Sequence, residues 1–176
     1  MWFVWMMGLW ACQVGGSGRP HEDTTAPSGG EDLVACEPSS FLTLELAQQG
    51  PYGLSEGAPL WFGLPPQGGV PYAPFRLRLE GLNFPEQGSS VSVVATDVDT
   101  GERLGDIELL HRFICSNVGG DAGRHVAGEI HLRFWDYRLK ELDGRTAEVV
   151  ATVSDGPNEP AVARYTGPLT RFPEDE

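Results

Sequence analysis

Residues Val91–Leu109, "VSVVATDVDTGERLGDIEL", decide the fold. Val91, Val93 and Ala95 recur at every second position, and so do Ile107 and Leu109 beyond the break at Asp99-Thr100-Gly101. Side chains alternate across a pleated strand, so this period predicts two half-buried strands joined as a hairpin. A three-residue loop Asp99-Thr100-Gly101, with Gly101 in the left-handed region as a bulge, sets Val93 against Ile107 and Val91 against Leu109. A two-residue Thr100-Gly101 turn would instead set Val93 opposite Glu108 and split the apolar set between the two faces. The bulged hairpin is therefore expected, with Asp97 directly across from Arg103.

The same period extends outward in both directions. Leu42, Leu44 and Leu46 alternate in "FLTLELA", and in "PFRLRLEGL" the residues Phe75, Leu77 and Leu79 alternate with Arg76, Arg78 and Glu80. Ile130, Leu132 and Phe134 do so in "EIHLRFWD", as do Val149, Ala151 and Val153 in "AEVVATVSD". Further strands are expected near 58–63, 90–98, 103–116 and 161–166, separated by Gly- and Pro-rich breaks. Strands at this spacing predict an all-β chain, an antiparallel sandwich of about seven to eight strands. The run "LKELDGRTAEVVATVSD" resembles the corner of immunoglobulin-like domains, with Leu142, Asp143 and Gly144 in the turn that leads into a central strand. The corner tyrosine of that family is absent here. The resemblance implies one immunoglobulin-like β-sandwich over residues 34–172.

The opening "MWFVWMMGLWAC" holds twelve apolar residues, too few for a membrane span of about 20 and without the polar relief of an amphipathic helix. It fits a secretory h-region. Its end, Leu9-Trp10-Ala11-Cys12, resembles the lipobox of bacterial lipoproteins, in which the Cys thiol is acylated with diacylglycerol and the chain is cut ahead of it. The resemblance implies a signal peptide over residues 1–11 and lipidation of Cys12, and Gln13 after it resembles an outer-membrane sorting signal. Residues 12–33 then form a flexible tether rich in Gly, Ser, Thr and Pro, with a root-mean-square reach of roughly 25 Å. Residues 173–176, "PEDE", are expected as an acidic tail.

The chain carries 25 acidic and 12 basic residues, a net charge of -13. Nucleic acid and anionic lipid surfaces both demand a positive field, so neither is an expected partner. The partners expected are a membrane, through the lipid anchor, and an envelope protein or glycan. Three cysteines leave an odd thiol in an exported protein. Lipidation of Cys12 removes that difficulty, and Cys36 with Cys115 then forms a disulfide in an oxidising compartment, or two buried thiols.

Motifs for chemistry are sparse. Neither a G-x-S-x-G elbow nor a phosphate-binding Gly loop occurs, and no Cys/His spacing suits zinc. Asp97, Asp99 and Glu102 lie in a loop with alternate carboxylates, as calcium would want, but the bidentate Glu at position twelve is missing, and a plain turn is expected. His111, His125, His131 and Asp136 could be imagined as a metal cluster. If the strands around Phe113 and Leu132 form the next hairpin, His111 points inward and His131 outward, and they cannot share a metal. The segment "PYGLSEGAPLWFGLPPQGGVPYAPF" sets Tyr52, Trp61, Phe62 and Tyr72 among prolines. These rings are either a stiff binding surface for glycan or peptide, or part of the core. The sequence thus points to a membrane-anchored, exported binding or structural module of the cell envelope without cofactor or catalytic residues. The alternative is an envelope hydrolase or a metal-binding domain on a β-sandwich.

Overall fold

A computed structural model of the chain describes residues 35–39, 41–48, 54–83, 88–156 and 159–173. The expected signal peptide and Cys12, the whole tether, Tyr52 and the last three residues of the acidic tail lie outside them. The hairpin forms from β4 (Ser89–Asp97) and β5 (Arg103–His111), with Val93 opposite Ile107 and Val91 opposite Leu109. Its turn differs from the expectation. The loop is four residues, Val98–Gly101, closed by the Asp97 N–H donating to the Glu102 carbonyl. Gly101 sits at φ 71°, where a β-branched residue would be strained. Thr96 rather than Asp97 pairs with Arg103, and Leu104 is an extra residue that restores the register from Ala95 opposite Gly105 onward. Leu104 is buried, so the bulge sends one more apolar side chain inward.

The remaining strands are β1 (Thr43–Ala47), β2 (Leu60–Phe62), β3 (Tyr72–Glu80), β6 (Ile114–Ser116), β7 (Arg124–Val126), β8 (Ile130–Arg133), β9 (Thr146–Ser154) and β10 (Ala161–Arg171), with one helical turn α1 (Leu139–Leu142) before β9. Among the described residues the protein is an all-β, sandwich-like fold of ten strands. One layer runs β1-β3-β7/β8-β6 and the other β2-β10-β9-β4-β5. This is the strand order of an immunoglobulin-like sandwich. The count exceeds the expected seven to eight because the expected strand over 103–116 is broken in two and β7 forms where no strand was expected. β7 and β8 follow one another along one edge of β3, with Val126 opposite Arg78 and Ile130 opposite Phe75. β1 and β2 form separately as expected, β1 pairing antiparallel with β3 and β2 parallel with β10. The expected strand over 103–116 divides at Arg112–Phe113 into β5 and β6, which pair in different layers.

The layers are stitched at both margins, by a bridge between Gly63 and Tyr72 and by Asp106 opposite Arg133. Gly105 permits the second contact, because a Cβ there would strike the Arg133 carbonyl. No hairpin joins the strands around Phe113 and Leu132, contrary to expectation. β6 pairs with β7, and β8 lies along β3. The core holds Phe75, Leu77 and Leu79 from β3, Val91, Val93 and Ala95 from β4, Ile130 and Leu132 from β8, and Val149, Ala151 and Val153 from β9. Phe62 and Phe134 meet edge to face at 6.0 Å in its centre.

At the corner, Leu142 is buried and Gly144 donates to the Leu169 carbonyl at 2.9 Å. No tyrosine stands there. Tyr165 on β10 instead turns its hydroxyl onto the Ala58 carbonyl and ties the approach to β2 against β10, and burial pushes its pKa up to about 12. Cys36 and Cys115 are bridged, with an S–S distance of 2.02 Å and Cα atoms 5.8 Å apart. The bridge fastens the segment ahead of β1 to the edge strand β6. Closing a loop of this length stabilises a fold by roughly 4.5 kcal/mol on the chain-entropy model.

Candidate binding surface

The alternation of β2 separates two neighbours that the sequence leaves together. Leu60 and Phe62 point inward and are fully buried, while Trp61 points outward and is half-buried. Phe62 is therefore a core residue and not part of a binding surface. Gln48 clamps the backbone beside Trp61, its Nε2 donating to the Trp61 carbonyl at 2.6 Å and its Oε1 accepting from the Trp61 N–H at 3.2 Å. With β10 on its other edge, β2 is held on both sides.

The ring of Trp61 stacks on Phe172, with centroids 6.2 Å apart and planes 17° from parallel. Phe172 lies over Gly63, where a Cβ would come within 2.7 Å of its ring, so this stack needs a glycine. Across the bridge from Gly63 stands Tyr72, half-exposed, with its ring 4.5 Å from His131 on β8. Next to it along β8, the Arg133 guanidinium lies 5.2 Å over the exposed ring of Trp135. Trp61 and Tyr72 thus stand on either side of Gly63, on strands whose neighbouring edges are paired. Phe172 is missed by sequence reasoning, because it joins the site from the end of β10 through a parallel strand pairing that no local pattern encodes.

Two cavities share the β2–β3 loop, residues 64–71. One, of about 340 Å³, is lined by Pro65, Pro66 and Val70 with Tyr72, His131 and Arg133. The other, of about 410 Å³, is lined by Leu64, Tyr137 and Leu139 with Arg138, Lys140 and Arg171. Prolines fix the loop that forms their common wall.

A second polar region lies on the outer face of β1, β3 and β7. Arg78, which alternation assigns to solvent, is 8% exposed. A 3-10 turn at Gly119–Asp121 lays Asp121 over it, with Nε to Oδ1 at 2.5 Å, and Glu45 adds a contact at 3.2 Å. Arg124 joins Glu45 and Glu80, each at 2.9 Å, and Arg76 reaches Asp121 at 3.5 Å. Three arginines and three carboxylates balance there.

The histidines scatter. His111 packs edge-on against Phe113, His131 against Tyr72, and His125 is buried between Leu79 and Cys115 in register. Burial lowers the pKa of both His111 and His125. Among the described residues no group of three or more His, Cys, Asp and Glu could hold a metal ion. In the Asp97 loop the carboxylate accepts from the Thr100 and Asp99 N–H groups and from Arg145, which hold its pKa below the usual range, the Thr100 bond most strongly. Asp97 therefore spends its lone pairs on its own turn and on Arg145, instead of pairing with Arg103. Arg103 pairs with Asp106 at 2.7 Å.

No protein-family model matches the chain, and a search of curated proteins finds no match.

Proposed function

We propose that the protein is an exported, lipid-anchored binding module of a bacterial envelope, meeting its partner through the ring surface of Trp61, Phe172, Tyr72 and His131. The observation that carries this reading is the placement of half-exposed rings on strands whose edges are paired and clamped. Rigid rings lose little conformational entropy on contact, so the apolar area they bury counts almost fully toward affinity. The disulfide suits an oxidising compartment. The lipobox supplies the anchor at Cys12, and the tether gives the domain room to reach away from the bilayer.

Two measurements test the reading. Radiolabelled palmitate fed to expressing cells labels the wild type and not Cys12→Ala, and equal labelling of both defeats the anchor. Crosslinked capture from native envelope yields a partner that Trp61→Ala/Tyr72→Ala loses and Val118→Ala, a substitution on the exposed β6–β7 connection, keeps. Retention of the partner by the ring variant removes this surface from the account.

A further inference from the structure

We infer that the two cavities flanking the β2–β3 loop take a carboxylated sugar, a glycan segment built of uronic-acid rings. This rests on the ring surface proposed above and names the chemistry it selects.

The chain is strongly acidic, with 25 carboxylate residues against 12 cations. Arg76, Arg78, Arg103, Arg124, Arg145 and Arg164 are all held in ion pairs with Asp or Glu. Arg112, Arg133, Arg138 and Lys140, the one lysine of the chain, have no carboxylate within ion-pair reach among the described residues, and the last three line these two cavities. No carboxylate lines either one. Neighbouring acids are engaged elsewhere: Glu141 accepts from the Arg138 backbone N–H at 2.7 Å, Asp143 from the Arg171 backbone N–H at 3.2 Å, Glu129 lies 3.6 Å from His131, Asp106 opposite Arg133 pairs with Arg103 at 2.7 Å and Glu102 with Arg145 at 3.1 Å, while Asp136 lines neither cavity. The linings of both cavities are therefore cationic in a negative molecule, with the ring of Tyr72 in one and that of Tyr137, under Arg145, in the other.

The pairing of rings with cations that no carboxylate neutralises points to the class of ligand. A flat ring presents an apolar face on which a sugar ring stacks, and a guanidinium meets a carboxylate through two parallel hydrogen bonds. An extended peptide would be bound most simply by strand addition, which needs an open sheet edge. Here β2 has β10 on one edge and the Gln48 clamp on the other, and Tyr72 is bridged to Gly63 and paired with Arg133, so side chains must do the recognising. An anionic bilayer is repelled by the net charge of -13 before the patch can reach it. A short acidic glycan avoids both difficulties, since only its own carboxylates enter the local field.

The test is calorimetric titration of the full-length protein with tetragalacturonate and with its methyl ester, which keeps the rings and removes the charge. The acid binds, the ester binds at least about tenfold more weakly, and Arg138→Glu/Lys140→Glu weakens the acid by at least about tenfold. Arg164→Glu, which alters a cation already paired to Glu148, leaves the affinity within about twofold. Added salt weakens the acid and not the ester. Equal binding of acid and ester, lost in Trp61→Ala/Tyr72→Ala, overturns the charge selection while the ring surface stands. Binding of neither sugar overturns the glycan, and the envelope capture then decides the ring surface separately. Equal binding of hexaglutamate, or of vesicles containing phosphatidylglycerol, replaces the glycan by an acidic peptide or a lipid surface.

Discussion

The outer face of β3 and the loop that precedes it carry the same kinds of side chain to opposite ends. Around Arg78 every cation meets a carboxylate, the 3-10 turn closes over the network, and little charge is left to offer a partner. Beside the β2–β3 loop, Arg133, Arg138 and Lys140 stand without carboxylates next to rings that the core does not consume. Charge alone does not mark a surface for binding. Charge left uncompensated, beside apolar area left uncovered, does.

Substitutions at matched positions can break this contrast, and the largest effects belong to the interior. Phe62→Ala should cost about 3 to 5 kcal/mol, because it opens a cavity against Phe134 in the centre of the sandwich. Trp61→Ala, one residue earlier, should cost about 1 kcal/mol, since its ring is only partly buried. Urea unfolding midpoints of the two variants measure the difference, and similar costs would mean that Trp61 belongs to the core. Between these, Arg78→Met should cost about 2 to 4 kcal/mol by leaving Asp121 without its nearest cation. Arg138→Glu should shift stability by no more than about 0.5 kcal/mol. A stability loss at Arg138 matching that at Arg78 would show that the cavity cations are structural.

The smallest effect is one of pH. Burial lowers the His125 pKa, so the unfolded chain takes up a proton near 6.5 that the folded chain resists. The stability linked to His125 is present above pH 6.5 and declines as pH falls below it toward the folded value. Thermal melts from pH 7.5 to 5 should show this decline, and His125→Leu should flatten it. An unchanged slope would place the titration elsewhere, on His111 for instance, whose pKa burial also lowers.

Much of this architecture is written in parity. The apolar residues at 91, 93 and 95 and at 107 and 109 define two faces, and only one register keeps them together, so the hairpin body follows from sequence. Its turn does not, because a four-residue loop with a bulge at Leu104 reaches the same register as a three-residue loop without one. The cysteine pairing follows from counting, once Cys12 is set aside. What sequence hides is long-range closure. Arg78 reads as solvated because nothing local announces that Asp121 will fold over it, and the rings read as one cluster because Trp61 and Phe62 are adjacent in the chain but not in direction. The unpaired cations were hidden for a similar reason: being unpaired depends on where every carboxylate lies in space.

Chemical-shift mapping of the ¹⁵N-labelled protein during addition of tetragalacturonate tests the central claim most directly, because it reports where contact occurs and not only whether it does. Shifts should be confined to the Trp61 indole and to Leu64–Tyr72, His131–Trp135 and Tyr137–Lys140. The other exposed apolar residues, Leu110, Ile114 and Val118, should stay still. Shifts centred on those three, or on the balanced network around Arg78, would contradict it.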